Sequence, residues 1–533
     1  MVDPLKSIST RATAQSDRAK PGQVLNNAGG WVFDVGADQR LRRFLTLGVD
    51  GGTYYVQPRQ LARDNAQVVF ELAELDPKAL VDTIAEISLA GRAPKQVPGL
   101  FALAVAASLA DEDGRRHALA RLPEVARTGT TLFQFVSYAE QFRSWGRGLR
   151  RAIGRWYVDK TTDQLAYQTV KYRQRGGWTH RDLLRLSHPS PVSPGQAALF
   201  DWICGRTPPG AELPGLVQAY QQVRELGWLG QGDQVAEVLR KTPGLPWEAL
   251  PDSALGSAEV WRTLLDQGLP QTALLRQLPR LTNLGLGVGE TGKLIARQLA
   301  DPDRLRRARV HPISVMAALR TYASGRGARG RGAWQPTRQL VDALDEAFYA
   351  AYGAVTPTGK RIGLALDVSG SMGWASIGGL PLTPREATAA MALVTAATED
   401  DYEIIAFTGG DAGVSPLAIS PRQRLDDVLR AVSDLPFGQT DCALPMLWAA
   451  KEKRDFDAFV IYTDNETWFG DVHPFQALRR YRELTGIPAK LVVVGTTATS
   501  FTIADPSDPG SLDIAGFDAA VPNLIGDFVR GEV

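Results

Sequence analysis

Two aspartates far apart in this 533-residue chain each close a short apolar run, and no other feature constrains the fold as tightly. Arg361–Leu366 (RIGLAL) leads into Asp367-Val-Ser369-Gly-Ser371, and Ala458–Tyr462 (AFVIY) leads into Thr-Asp464-Asn-Glu. Between them Thr440 sits in a Gly-Gln-Thr-Asp turn. Asp367, Ser369, Ser371, Thr440 and Asp464 offer three hydroxyls and two carboxylates from three loops. Hard divalent cations such as Mg2+ prefer octahedral oxygen ligands and keep several waters, so this donor set suits one and leaves a position open for an acidic group from a partner. Ser- and Asp-containing turns are common, so D-x-S-x-S alone says little. The context says more. RIGLAL, Tyr402–Phe407 (YEIIAF), AFVIY and Lys490–Val494 (KLVVV) read as strands buried on both faces of a parallel sheet. Helical stretches at Arg385–Thr398, Arg422–Ser433, Ala443–Lys453 and Phe475–Thr485 separate them, which predicts a doubly wound α/β domain. In such sheets ligands bind beyond the carboxyl ends of the strands, where Asp367 and Asp464 fall.

Residues from about 37 to 353 carry a different period. Leu80–Leu89, Leu100–Leu109, Thr131–Phe142, Leu149–Val158, Gln164–Arg173, Val260–Leu265 and Leu340–Tyr352 place apolar residues near i, i+3, i+4, and no strand is expected among them. Breaks such as Ala93-Pro94, Thr207-Pro208-Pro209 and Gly268-Leu269-Pro270 separate them. So long a chain of amphipathic helices predicts stacked pairs of the HEAT or armadillo type, able to close into a ring, although no repeat is visible as self-similarity. The expected architecture is a ring-like α-helical repeat domain over residues 1–356 followed by the α/β domain over residues 357–533.

No apolar run approaches the ~18 residues of a membrane span, and the N-terminus lacks an apolar signal core. Cys204 and Cys442 are the only cysteines, so no disulfide framework is implied and a cytoplasmic location is expected. The net charge of +1 conceals an asymmetry: residues 1–350 hold 45 of the 59 Lys and Arg but 34 of the 58 Asp and Glu. A basic helical part suits a polyanion and an acidic remainder suits cations.

Two basic segments stand out. Lys171-Tyr-Arg173-Gln-Arg175-Gly-Gly-Trp178-Thr-His180-Arg-Asp-Leu-Leu-Arg185-Leu-Ser-His188 mixes cationic groups for phosphates with flat rings for bases, which suits structured or single-stranded RNA as well as an ordinary charged helix pair. Ser324-Gly-Arg326-Gly-Ala-Arg329-Gly-Arg331-Gly332 reads as a basic loop that grips phosphates or simply connects two helices. Gly287–Lys293 has the spacing of a phosphate-binding loop, but position 294 is Leu and no strand precedes it, so nucleotide binding is not expected there. No H-E-x-x-H, no C-x-x-C and no ligand-spaced histidines occur.

The D-x-S-x-S, Thr, Asp set resembles the metal-ion-dependent adhesion site of von Willebrand factor A (vWA) domains. Longer blocks extend the likeness over most of the chain: RFL…GGTYY at 43–55, KYRQRGGWTHRDLLRLSH, ARVHP at 308–312, PTGKR at 357–361, LDVSGSM, TDCALPM at 440–446, TDNET at 463–467 and FTIADP at 501–506. Together they resemble the Ro ribonucleoprotein autoantigen family, a helical-repeat TROVE domain followed by a vWA domain. The resemblance implies a non-enzymatic, monomeric ring with a basic cavity. The cavity would take single-stranded 3′ ends of misfolded RNA, and the outer surface a small non-coding (Y-type) RNA. It implies work beside an exoribonuclease in RNA quality control, maturation or decay. It also implies RNA contacts at Lys171, Arg175 and His188 and a metal at Asp367, Ser369, Ser371, Thr440 and Asp464. Arg173 and the loop arginines Arg326, Arg329 and Arg331 are candidate RNA contacts from the basic segments themselves, the loop being richer in Arg-Gly steps than the family pattern. Two other readings stay open: a metal-dependent nuclease, and a vWA co-chaperone or adhesion module binding an acidic protein.

Overall fold

The computed structural model describes residues 12–48, 58–206, 212–228, 231–327, 332–353, 355–374, 376–377, 381–421, 423–436 and 438–532. Helices fill most of the chain before residue 353, close to the expected spans. Pro77–Ala90 begins earlier than its apolar stripe because Asp76 caps it, accepting from Ala79 N, and Pro77 occupies the first turn. It ends on Gly91 in the left-handed region (φ 72°). Packing runs from each helix to its next-but-one neighbour: Pro77–Ala90 on Glu112–Val125, Val97–Leu109 on Gly129–Phe142, and Glu112–Val125 on Arg147–Val158. That is the pattern of stacked helical hairpins, each burying an apolar face its neighbour completes. The stack returns on itself, so residues 91–96 near its start and 307–322 near its end line one cavity.

The expectation of no strand from about residue 37 to 353 fails at one place among the described residues. Strands β3 (Gln174–Arg175) and β4 (Trp178–Thr179) form a hairpin between the helices Thr162–Lys171 and His180–Ser187. β1 (Gln23–Leu25) and β2 (Trp31–Asp34) precede the helices. Gly176 (φ 57°) and Gly177 (φ 84°) supply the two positive-φ residues of a tight two-residue turn, and helical periodicity hides such a short pair. Around residue 289 the chain is as expected without a strand: Gln271–Asn283 and Gly289–Ala300 are both helical.

The C-terminal sheet contains β5 (Ile362–Asp367), β6 (Tyr402–Phe407), β7 (Val414–Leu417), β8 (Ala458–Thr463), β9 (Lys490–Gly495) and β11 (Ser511–Ala515), in the order β11-β9-β8-β5-β6-β7. All pairs are parallel except β6–β7. The chain moves from β5 to β6 on one side and later returns to β8 on the other. The topological switch therefore lies between the ends of β5 and β8, which carry Asp367 and Thr463.

The two parts interlock. β2 pairs with β10 (Phe501–Thr502), Asp34 opposite Phe501, so the N-terminal hairpin joins the C-terminal region rather than the helices that follow it. Arg43, Arg92 and Arg320 of the helical part form ion pairs with Asp513, Asp518 and Glu386. The helix Arg338–Tyr352 is tied to Leu425–Ser433 by an Arg424–Asp342 pair and by Leu425 N donating to Asp345 at 2.9 Å. Among the described residues no helix is long and apolar enough to cross a membrane.

Candidate functional site

Three loops at the switch point bring the five expected ligands together. Asp367 closes β5, and its Oδ1 accepts from Ser369 N at 2.9 Å while its Oδ2 accepts from the Thr463 hydroxyl at 2.7 Å. The Ser369 and Ser371 hydroxyls lie 3.2 Å apart, and Ser371 hydrogen-bonds Asp464. Gly370 N donates to Gly438 O, and the amides of Trp468 and Phe469 donate to Thr440 O, so each loop is tied to the other two. All five residues are buried, none more than 4% exposed. Thr440 Oγ1 is buried without a hydrogen-bond partner, an expensive state for a hydroxyl unless a ligand completes it.

Charge points the same way. Burial pushes the Asp367 carboxyl up, against hydrogen bonds from Ser369 and Thr463 and the nearby Arg385 guanidinium. Burial, then the charge of Asp367, pushes Asp464 up to about 7. Arg385 Nη2 donates to Val368 O at 2.5 Å and Ser369 O at 3.2 Å, holding the first loop from beneath. Two crowded carboxylates and three hydroxyls, one of them unsatisfied, make a donor set that fits one hard cation. Among the described residues no group of three or more His, Cys, Asp or Glu is arranged to hold a metal. A site here would therefore rest on hydroxyls as much as on carboxylates.

Sequence reasoning did not foresee that the N-terminal hairpin covers this site. Asn26 Nδ2 donates to Asn465 O and Thr467 O, while Asn27 Nδ2 and Ala28 N donate to the two oxygens of Glu466 at 2.6 and 3.1 Å. Only a glycine fits at position 30, where a Cβ would stand 1.8 Å from Thr467 O.

The expected RNA-contact residues separate into two kinds. Arg175, on β3, and His188, the left-handed cap (φ 47°) of His180–Ser187, are exposed. Lys171 is engaged: its Nζ donates to the Tyr167 hydroxyl at 3.0 Å, faces Glu248 at 3.5 Å and lies 5.3 Å from the ring centres of Tyr167 and Tyr172. Arg173 donates to the Tyr220 hydroxyl. Arg151 and Arg155 on one helix and Arg181 and Arg185 on the helix packed against it extend this exposed basic face. Arg326 is exposed beside a small closure in which it bridges Ala333. Arg329 and Arg331 lie outside the described residues.

A second basic surface escaped the sequence reading. The cavity of about 990 Å³ between the two ends of the helical stack is lined by Lys95, Arg127, Arg276, Arg307 and Arg309, with no carboxylate in its wall among the described residues. Burial, then the neighbouring Arg309 charge, lowers the Arg127 pKa. ARVHP at 308–312 was the only block near it to draw notice.

The TROVE domain family matches residues 24–208 and 242–321, and the Ro60 vWA domain family matches residues 361–529. The RNA-binding protein RO60 of Deinococcus radiodurans is 41% identical over 99% of both chains. That of Caenorhabditis elegans is 37% identical over 98% of this chain and 92% of its own. The crystal structure of the Deinococcus radiodurans RO (RSR) protein superposes with a TM-score of 0.69 at 40% identity, covering 93% of this chain and all of that one. With both domains matched in order and the likeness running end to end, the chain belongs to the Ro60 family of TROVE–vWA proteins.

Proposed function

We propose that the protein is a non-enzymatic RNA-binding ring of the cytoplasm. It holds a small Y-type RNA on its outer basic face and single-stranded 3′ ends of misfolded RNA in its cavity, presenting them to an exoribonuclease. The observation that carries the reading is the cavity wall of Lys95, Arg127, Arg276, Arg307 and Arg309, which among the described residues holds no carboxylate. Five cationic side chains gathered in one concave wall suit a flexible polyanion. The names of the two relatives support RNA as that polyanion. The exposed face of Arg175, His188, Arg181 and Arg185 is a separate surface, suited to the phosphates of a folded RNA. The test is a pair of double variants against a Y-type hairpin and a single-stranded RNA. Lys171→Ala with Arg175→Ala should weaken the hairpin tenfold or more and the single strand little, and Arg276→Gln with Arg307→Gln should do the reverse. Equal losses for both RNAs in both variants would sink the two-surface reading.

In the same reading Asp367, Ser369, Ser371, Thr440 and Asp464 hold a divalent cation, Mg2+ by preference for oxygen donors. When bound it supplies a positive coordination position for an acidic group of a protein partner. A nuclease working through two metals needs carboxylates shared between two cations about 3.5–4 Å apart. Asp367 and Asp464 with three hydroxyls form a single-cation set, which favours a docking role over cleavage.

A further inference from the structure

Gln15 is a fully buried amide near the start of the chain, and it ties together two of the three loops that carry the expected metal ligands. Its Nε2 donates to Asp441 Oδ1 at 2.6 Å and to Val472 O at 2.9 Å, while its Oε1 accepts from the Thr467 hydroxyl. Asp441 directly follows Thr440, and Thr467 stands three residues after Asp464. The main chain joins in: Gln15 N donates to Gly470 O at 3.0 Å, and Trp31 N, in β2, donates to Gln15 O at 2.8 Å. Both amide hydrogens and the amide oxygen are therefore engaged. The same two loops also meet directly, since the Thr467 hydroxyl accepts from Cys442 N at 3.1 Å. Asp441 and Thr467 are buried too, and hydrogen bonds away from water are the stronger for it.

Holding the N-terminal segment in place does not require this arrangement. Lys20 pairs with Asp505 at 2.5 Å, His473 Nε2 lies 2.8 Å from Asp17 O, and β2 pairs with β10. Those contacts fall outside the ligand loops. Gln15 instead divides a single amide between two loops, and those two supply Thr440 and Asp464. Thr440 Oγ1 is the hydroxyl left without a partner, so its place depends on its backbone, and the next residue is the one Gln15 holds. Mg2+ demands near-ideal octahedral geometry at about 2.0–2.1 Å, whereas Ca2+ accepts flexible geometry at about 2.3–2.6 Å, so cavity size and rigidity choose between them. A tie that fixes the gap between Thr440 and Asp464 acts on that choice. Groups that orient metal ligands without touching the metal are worth about 10–100-fold in affinity.

We propose that Gln15 is a positioning residue of the metal site, holding Thr440 and Asp464 at the spacing that favours Mg2+ over Ca2+. The proposal rests on the reading of these loops as a divalent-cation site and adds to it a determinant of selectivity from the N-terminal segment.

The test uses the full-length protein and titrates Mg2+ alone and Ca2+ alone by calorimetry. Gln15→Met and Gln15→Ala should each weaken Mg2+ about tenfold or more but Ca2+ by about threefold at most, with circular dichroism reporting that the fold is kept. Lys20→Met, which unties the same segment from Asp505, should leave both affinities within about twofold. Coupling runs both ways, because linkage between sites is reciprocal. Mg2+ added to the wild-type protein should therefore slow amide exchange in residues 13–17 and 440–442 together, a readout that decides the matter even if neither Gln15 variant folds. An unchanged Mg2+ affinity in both Gln15 variants, an equal loss for the two ions, an equal loss in Lys20→Met, or exchange at residues 13–17 untouched by Mg2+ would each overturn the positioning role while leaving the metal site in place. A wild-type protein that binds neither ion would instead remove the metal reading itself.

Discussion

Arg43 and Asp513 join the first helix to the last strand of the large sheet through a buried ion pair. Arg43 Nη2 contacts both carboxylate oxygens, at 2.6 and 2.8 Å, and Nη1 donates to the carbonyls of Thr499 and Phe501 at 2.8 and 2.7 Å. One fully buried side chain therefore serves three acceptor groups on the C-terminal region. Arg43→Ala strands all three, and breaking such a pair costs about 3–5 kcal/mol. Urea unfolding should show a loss of that size, with the junction near residues 499–513 becoming the first site of proteolysis.

Gly30→Ala should act on the metal loop from outside. The added methyl would collide with Thr467 O, which neither backbone can yield without undocking the hairpin. Overpacking of this kind costs about 1–3 kcal/mol. Hydrogen exchange should accelerate in residues 23–34 and 464–468 together, whereas acceleration confined to one of them would mean that the contact does not couple them.

Mg2+ should stabilise the wild-type protein because it relieves crowding between Asp367 and Asp464. A ligand at a hundred times its Kd adds about 2.7 kcal/mol to the folded state. Thermal unfolding with and without Mg2+ should show an upward shift that Asp367→Asn and Thr440→Val each remove. A shift that persists in both variants would place the cation elsewhere.

Acid should weaken the fold through two histidines. Burial lowers His180 to about 4 and His311 to about 4, so both are neutral in the folded chain. Unfolded, each takes up a proton near pH 6.5, so between about 6.5 and 4 the unfolded state holds more protons. Their contribution is complete above pH 6.5 and declines as pH falls to 4, by about 1.4 kcal/mol per unit for each histidine. His180 is enclosed by Phe133, Trp156 and Tyr157, whose hydroxyl lies 2.8 Å from its Nδ1. Urea midpoints at pH 7 and pH 5 should differ, and His180→Gln should lower the pH 7 stability while flattening the slope by about one proton.

Single-strand binding should be steeply salt-dependent. For single-stranded nucleic acid each phosphate contact contributes about 0.7 to the slope of log K against log salt. Removing Arg276 and Arg307 together should reduce the slope by about 1.4. Measuring affinity at four salt concentrations checks this, and an unchanged slope with weaker binding would mean the two side chains shape the cavity without meeting phosphates.

Asp367, Ser369, Ser371, Thr440 and Asp464 were legible because each lies within a turn of a strand end or a helix start, and apolar runs mark those ends. The β3–β4 hairpin was missed although Gly176-Gly177 signals it, because its strands are two residues long and no alternation can develop. Lys171 was read as a phosphate contact, and its ammonium is already engaged within the fold. Its Tyr167 partner lies one helical turn away and could have been anticipated, whereas Glu248 comes from a distant segment and could not. The cavity cations at 95, 127, 276, 307 and 309 left no local trace at all. Closure of the helical stack brings them together, and no periodicity encodes which distant turns will face each other.

The pairing of Asp34 with Phe501 also sets an order of events during synthesis. A strand made near the start has its partner made almost last, so β2 emerges from the ribosome with an unsatisfied edge and must wait while the helical stack forms behind it. Local helix pairs can fold as they appear, but contacts of such sequence separation are slow and leave edges open to wrong partners. A chain interrupted before residue 501 would thus carry a largely formed helical stack with its opening hairpin undocked, a visible mark of incompleteness for the cell's proteases.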